Sequence, residues 1–169
     1  MDPLIVTLAL DEAAFAVFDA ARRAHFPPER NLIPAHLTLF HKLPGAEEEA
    51  IAAGLAEAAA ARGPLPMTCA GLRFLGRGVA YRLEGEGVVA LRRALARRFA
   101  PSLGPQDAQA IAPHVTIQNK VDPRAAKALL ARLQAGFAPF PVTGEGLLLW
   151  RYRGGPWEPA GRFPFAGGA

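Results

Sequence analysis

The tripeptide His-x-Thr occurs twice, about half a chain length apart, and it constrains the fold more than any other feature. The copies are His36-Leu37-Thr38 and His114-Val115-Thr116, and a proline precedes each within two residues. Polar and apolar residues alternate in both runs, which is typical of a strand with one face in the core. In such a strand the histidine and the threonine share a face, and the residue between them takes the other. We therefore expect two halves of similar construction, each presenting one His-Thr pair.

The order of predicted elements also repeats around the tripeptides: a helix, the His-x-Thr strand, a second helix and then paired strands. Recurrent hairpin connections favour antiparallel pairing, and the mixture predicts an α+β fold in a single bilobal domain over residues 1–169. The predicted strands are 4–10, 35–40, 66–75, 79–83, 112–119, 140–152 and 161–165, and the predicted helices are 11–25, 46–62, 88–99 and 122–136.

The composition suits a globular protein, because 51% of the 169 residues are hydrophobic and 20% are charged. A formal net charge of +4 and a pI of about 9.8 admit an anionic ligand without requiring one. The basic residues Arg92, Arg93, Arg97 and Arg98 have the spacing of a solvated helix face. We interpret them as surface residues rather than as a nucleic-acid groove.

Several kinds of protein are disfavoured. The single cysteine, Cys69, cannot form an internal disulfide or a CxxC motif. The segment Gly76-Arg77-Gly78 lacks the lysine and the following helix of a nucleotide-binding P-loop. The N-terminus lacks the basic region of a signal peptide, and no apolar run reaches the roughly eighteen residues that span a bilayer. We expect a cytoplasmic monomer that works without a membrane.

Two histidines facing each other across a cleft can act as a general acid and a general base. The ordinary pKa of imidazole, about 6.5, keeps both protonation states accessible near neutral pH. Threonine hydroxyls on the same faces can donate to non-bridging phosphate oxygens and stabilise the charge that develops in the transition state. This chemistry requires neither a metal nor an organic cofactor. The pattern indicates a phosphoesterase with His36 and His114 as catalytic residues and Thr38 and Thr116 as phosphate ligands.

The segments Pro34-Ala35-His36-Leu37-Thr38-Leu39-Phe40 and Pro113-His114-Val115-Thr116-Ile117 resemble the two-histidine (2H) phosphoesterase superfamily. This superfamily includes bacterial 2′-5′ RNA ligase-like proteins and RNA 2′,3′-cyclic phosphodiesterases. The resemblance implies two pseudo-symmetric lobes, with antiparallel sheets lining a central cleft and helices outside. It also implies that RNA ends or small cyclic nucleotides are the partners, and that a 2′,3′-cyclic phosphate is opened to a 2′-phosphate. Ligation would be the reverse reaction.

Members of this superfamily often carry an arginine shortly after the second motif, where this chain has Gln118-Asn119-Lys120. Lys120 is therefore the candidate cation, unless that cation is missing. Further candidate substrate contacts are Arg30, Tyr81, Tyr152 and Arg151. His41 is out of phase with His36, so strand alternation predicts that it faces away from the site unless a bulge intervenes.

Two other functions fit the same motifs. One is a non-catalytic RNA-end binding protein that keeps the cleft without productive geometry. The other is a 2H phosphoesterase whose substrate is a small cyclic phosphate unrelated to RNA, since the modest positive charge does not demand a polymer.

Overall fold

The computed structural model describes residues 1–167 and contains seven strands and four helices in that range. All strand pairs are antiparallel, so the predicted α+β fold with antiparallel pairing is confirmed. The strands are β1 Leu4–Leu10, β2 Leu37–Leu43, β3 Leu65–Phe74, β4 Val79–Glu84, β5 His114–Gln118, β6 Phe140–Arg151 and β7 Glu158–Pro164. The helices are α1 Glu12–His25, α2 Glu48–Ala60, α3 Glu86–Arg98 and α4 Pro123–Gly136.

Aspartates cap two of the helices, at the positions where the chain leaves an extended segment. The Asp11 carboxylate accepts a hydrogen bond from the backbone N of Ala14 at 2.9 Å, and its other oxygen accepts one from the backbone N of Thr143 at 2.7 Å. Asp122 caps α4 in a similar way, with Pro123 as the first helical residue. These caps satisfy amide groups that the helix leaves without partners, so each boundary is encoded locally.

The long strand β6 joins the two halves of the molecule. Its first residues pair with β3, and the remainder pairs with β1 and β7. The resulting order β2-β1-β6-β3-β4-β5 places the two His-x-Thr strands at opposite ends of the path. The sheet curls so that β2 and β5 nevertheless contact each other. We call β2, β1, the end of β6 and β7 the first half, and the start of β6, β3, β4 and β5 the second half.

The helices cover the sheet face opposite the cleft. On that face the apolar residues of both motif strands, Leu37, Leu39, Val115 and Ile117, are fully buried. Helix α1 packs against β5 in the second half, although it precedes the first motif strand in the chain. Within the described residues, no helix is long and apolar enough to cross a membrane.

A β-bulge follows the threonine of the first motif. Thr38 pairs with Thr7 and Phe40 pairs with Val6, so Leu39 is the extra residue in β2. The bulge lets Leu39 and Phe40, which are consecutive, both point into the core, where neither is exposed. The faces of β2 are exchanged from this point to His41, and a second irregularity before Leu43 returns that residue to the core.

The second motif carries the same irregularity. Thr116 pairs with Ala80 and Gln118 pairs with Val79, so Ile117 is the extra residue in β5. The two motif strands are therefore alike in backbone geometry as well as in sequence.

Candidate active site

The two His-Thr pairs meet in one cavity of about 200 Å³ between the halves of the molecule. The structure thus brings together all four residues that the motifs single out. The cavity is lined by Ile5, His36, Thr38, His41, His114, Thr116 and Trp157. Because β2 and β5 are at opposite ends of the strand order, this meeting depends on the curl of the sheet.

Both motif histidines are held by a backbone carbonyl two residues earlier in the chain. Nδ1 of His36 lies 2.9 Å from the carbonyl oxygen of Pro34, and Nδ1 of His114 lies 2.9 Å from that of Ala112. A carbonyl oxygen can only accept, so Nδ1 carries the hydrogen in each ring. In the neutral rings, Nε2 therefore has a free lone pair and can accept a proton.

The pKa values of both histidines are lowered from the ordinary value. For His36, burial lowers the pKa to about 4, and the positive charges of Arg22, His114 and His41 act in the same direction against the opposing bond to Pro34. For His114, burial is again the main cause, assisted by the positive charge of Arg73. Both rings are consequently neutral at pH 7 in the free protein, and a bound phosphate anion favours protonation.

His41 does not face away from the site, because the bulge that the prediction named as its exception is present in β2. The bulge at Leu39 shifts the phase of β2, so His41 lies on the same face as His36 and Thr38 and lines the cavity. Its ring is held by Asp107, whose carboxylate oxygen lies 3.2 Å from Nδ1 of His41. The sequence signal for this placement was only the pair of consecutive apolar residues Leu39-Phe40, which interrupts the alternation.

Two buried arginines bind the motif strands from the core side. Arg22 of α1 donates to the carbonyl oxygen of Thr116 at 2.8 Å, and Arg92 of α3 donates to that of Leu39 at 2.6 Å. Each side chain is only 4% exposed. Arg92 does not lie on the solvated helix face that the charge pattern predicts, because the bulged strand leaves a carbonyl that needs a donor. Each arginine therefore fixes the backbone of one motif.

A larger apolar pocket adjoins this cavity on the His36 side. Its volume is about 430 Å³, and His36 and Trp157 border both cavities. Trp157 packs against the ring of His36 with a centroid separation of 4.7 Å, and Trp150 follows at 6.1 Å from Trp157. The site thus combines a small polar cavity with a larger one whose lining is mainly apolar and aromatic.

The other candidate contacts identified from the sequence do not line the cavity that the two His-Thr pairs share. Tyr81 is buried in the core beside Phe18, with ring centroids 5.3 Å apart. Arg151 lies on the helix side of the sheet, where its Nε donates to Glu48 at 2.6 Å.

Three candidate contacts lie at the surface. Arg30 is exposed in the short 3-10 helix before the first motif, and Tyr152 is exposed just after β6. Lys120 is exposed in a left-handed backbone conformation, with φ at 61°.

Sequence reasoning missed Arg73 of β3. Its Nη1 lies 3.5 Å from Nδ1 of His114, and it pairs with Ala80, the residue that also pairs with Thr116. Only the register across three strands reveals this proximity. In residues 1–167, no group of three His, Cys, Asp or Glu side chains is arranged to hold a metal ion.

A family model described as the 2′-5′ RNA ligase superfamily matches residues 10–156. The fold is similar to TT0787 of Thermus thermophilus, with a TM-score of 0.69 and 19% identity over 99% of this chain and 100% of that one. It is also similar to E. coli LigT crystallised with NADP+, with a TM-score of 0.62 and 21% identity over 97% of this chain and 98% of that one. A crystal structure described as a phosphoesterase has a TM-score of 0.61 and 22% identity, covering 97% of this chain and 98% of its own. No curated protein matches the chain.

Proposed function

This chain belongs to the 2′-5′ RNA ligase superfamily, and on that premise we propose that it is a phosphoesterase that opens 2′,3′-cyclic phosphates of RNA ends or nucleotides to 2′-phosphates. The observation that carries the proposal is the single cavity that both His-Thr pairs line. Each histidine is fixed at Nδ1, so each can transfer a proton at Nε2. That is the arrangement that acid-base cleavage of a phosphodiester needs.

His36 is the general base in this proposal, and His114 is the general acid, which donates from Nε2 once the bound phosphate anion has favoured its protonation. The pKa of His36 is lowered to about 4, so its ring is neutral and able to take a proton from water. The water oxygen attacks phosphorus while His36 takes the proton, and the bond from phosphorus to the 3′ oxygen breaks as His114 protonates that oxygen. Thr38 and Thr116 donate to the non-bridging oxygens, where charge accumulates. The proton gained by His36 and the proton lost by His114 re-equilibrate with solvent.

The adjoining pocket favours a nucleoside as the group attached to the phosphate. It is lined mainly by apolar side chains, including Leu32, Leu148, Trp150 and Trp157, with Arg162 as its charged member. A planar base with polar edges matches indole faces together with a guanidinium donor. At about 430 Å³ the pocket also has the size of small-molecule sites.

Alanine substitutions of the histidines test the catalytic claim. We expect His36→Ala and His114→Ala each to remove nearly all turnover of 2′,3′-cyclic AMP, and His25→Ala to retain it, because His25 lies at the end of α1 outside the cavity. Unfolding curves of the three variants control for folding. Wild-type rates in either motif variant would refute the proposed function.

A substrate without a base tests the nucleoside claim separately. We expect kcat/KM for ribose 2′,3′-cyclic phosphate to be at least about tenfold lower than for 2′,3′-cyclic AMP, since the base loses its burial in the pocket. Equal turnover of the two substrates would refute the claim that the pocket binds a nucleoside. The protein would then be a phosphoesterase that acts on other small cyclic phosphates. Oligonucleotides with cyclic ends, with the position of the product phosphate determined, separate RNA ends from mononucleotides. Binding of those ends without product would indicate a non-catalytic RNA-end binding protein.

A further inference from the structure

A third histidine, His41, lines the catalytic cavity and is held by a buried carboxylate. Asp107 is 2% exposed and lies outside the regular strands and helices, between α3 and β5. Its oxygens accept hydrogen bonds from the backbone N of His41 and the backbone N of Lys42, both at 2.8 Å. A charge buried to this degree requires hydrogen-bond partners, and His41 and Lys42 at the end of β2 provide them.

The Asp107 carboxylate also determines the tautomer of His41. Burial raises the pKa of Asp107, but the hydrogen bonds from the His41 side chain and from the backbone of His41 and Lys42 outweigh it and hold the pKa below the ordinary value. An ionised carboxylate can only accept, so Nδ1 of His41 carries a hydrogen. The other ring nitrogen, Nε2, is then the atom available to a ligand in the cavity.

The corresponding position in the second half is uncharged. His41 is the third residue after Thr38, and Asn119 is the third residue after Thr116, with a bulge between in each case. The pseudo-symmetry of the two motifs therefore stops at this pair. The first half contributes a side chain that can carry a positive charge at its position, and the second half does not.

From this geometry we infer that His41 is a phosphate-binding residue, which donates from Nε2 to a non-bridging oxygen of the substrate while Asp107 holds Nδ1. The inference deepens the proposed function and rests on it. In this arrangement the His41 ring donates from both nitrogens, so it carries two hydrogens and a positive charge that pairs with the phosphate on one side and the Asp107 carboxylate on the other. His36 and His114 remain free to transfer protons, because His41 binds charge and does not exchange a proton with the reacting oxygens.

The effect of the His41 side chain can be separated from the structural effect of Asp107. In His41→Ala, Asp107 keeps its bonds to the two backbone amides, so the end of β2 stays anchored. His41→Arg restores a cation with several donors at the same position. Lys42→Ala removes a neighbouring exposed positive charge that does not line the cavity, and is the matched control for net charge.

The experiment measures kcat and KM for 2′,3′-cyclic AMP and the inhibition constant of inorganic phosphate. We expect His41→Ala to raise KM and the phosphate inhibition constant by about tenfold or more, since a charge-assisted hydrogen bond is lost. Its kcat should fall far less than that of His36→Ala. His41→Arg should recover most of the phosphate affinity, and Lys42→Ala should resemble the wild type.

Two results would overturn the inference. One is a His41→Ala variant that binds phosphate within twofold of the wild type, and the other is one that loses kcat as completely as His36→Ala at unchanged KM. The failure of the proposed function looks different, because the wild type itself would then turn over no cyclic phosphate. Phosphate binding by the wild type and His41→Ala can in that case still be compared by 31P NMR titration.

Discussion

Replacing Arg92 by methionine tests whether the arginine behind the first motif holds the bulged strand. Its Nε donates to the carbonyl oxygen of Leu39 at 2.6 Å, and its Nη2 donates to that of Asp107 at 2.6 Å. The guanidinium carbon also lies 4.0 Å from the centroid of the Phe40 ring. The methionine side chain fills similar space but donates no hydrogen bond. In the variant the carbonyl oxygens of Leu39 and Asp107 therefore stay buried without this donor.

The size of the effect follows from these contacts. Each carbonyl left without a donor costs about 1–3 kcal/mol, and the lost cation-π contact costs about 1–2 kcal/mol. Burial lowers the pKa of Arg92, so desolvation of the guanidinium offsets part of the stabilisation that these contacts provide. The net loss we expect is about 3–5 kcal/mol, in the range for breaking a buried charged network. For a chain of this length, with a urea m-value of roughly 2 kcal/mol/M, the midpoint falls by about 2 M.

Urea unfolding followed by the fluorescence of the two tryptophans measures this difference. Arg93→Met is the matched control, because Arg93 is the next residue on α3 and is exposed. We expect the control to change the free energy of unfolding by no more than about 0.5 kcal/mol. If Arg92→Met unfolds within about 1 kcal/mol of the control, the arginine does not hold the strand as argued.

Three further predictions concern pH, packing and reactivity. The pKa of His36 is about 4 in the folded protein and 6.5 when unfolded. The contribution of neutral His36 to the free energy of unfolding is therefore fully present above pH 6.5 and is lost between pH 6.5 and 4, by up to about 3 kcal/mol. His36→Gln should reduce this loss in urea titrations. Gly78→Ala should destabilise the fold by about 1–3 kcal/mol and Gly155→Ala far less, as thermal unfolding will show, since a Cβ at Gly78 would lie 1.9 Å from a backbone oxygen. Burial raises the pKa of Cys69 to about 11, so we expect iodoacetamide to alkylate the native protein far more slowly than the denatured one at pH 8.

Most of the fold could be predicted from the sequence, because the boundaries of the helices and strands are encoded by neighbouring residues. The caps at Asp11 and Asp122, the apolar run of β1 and the alternation in β5 each lie within a few residues, and the structure places these elements close to their predicted bounds. The same-face arrangement of His36 and Thr38 likewise follows from alternation alone. It depends on a period of two that nothing interrupts before Leu39.

What the sequence did not predict depends on register between strands. The extra residue at Leu39 reverses the face of His41, and a bulge is a property of a pair of strands rather than of one. The proximity of Arg73 to His114 similarly passes through β4. The prediction that Arg92 is a solvated surface residue was wrong, because the charge pattern of α3 contains no information about the carbonyl of Leu39. That carbonyl lies on a different strand and needs a donor.

The continuity of β6 has a consequence for how the cleft can move. A strand that pairs with β3 at one end and with β1 and β7 at the other cannot bend sharply between the halves without breaking ladder hydrogen bonds on both sides. Along this strand the molecule therefore resists bending at the place where two-lobed proteins commonly open and close. We therefore expect the separation of His36 and His114 to change little when a substrate binds.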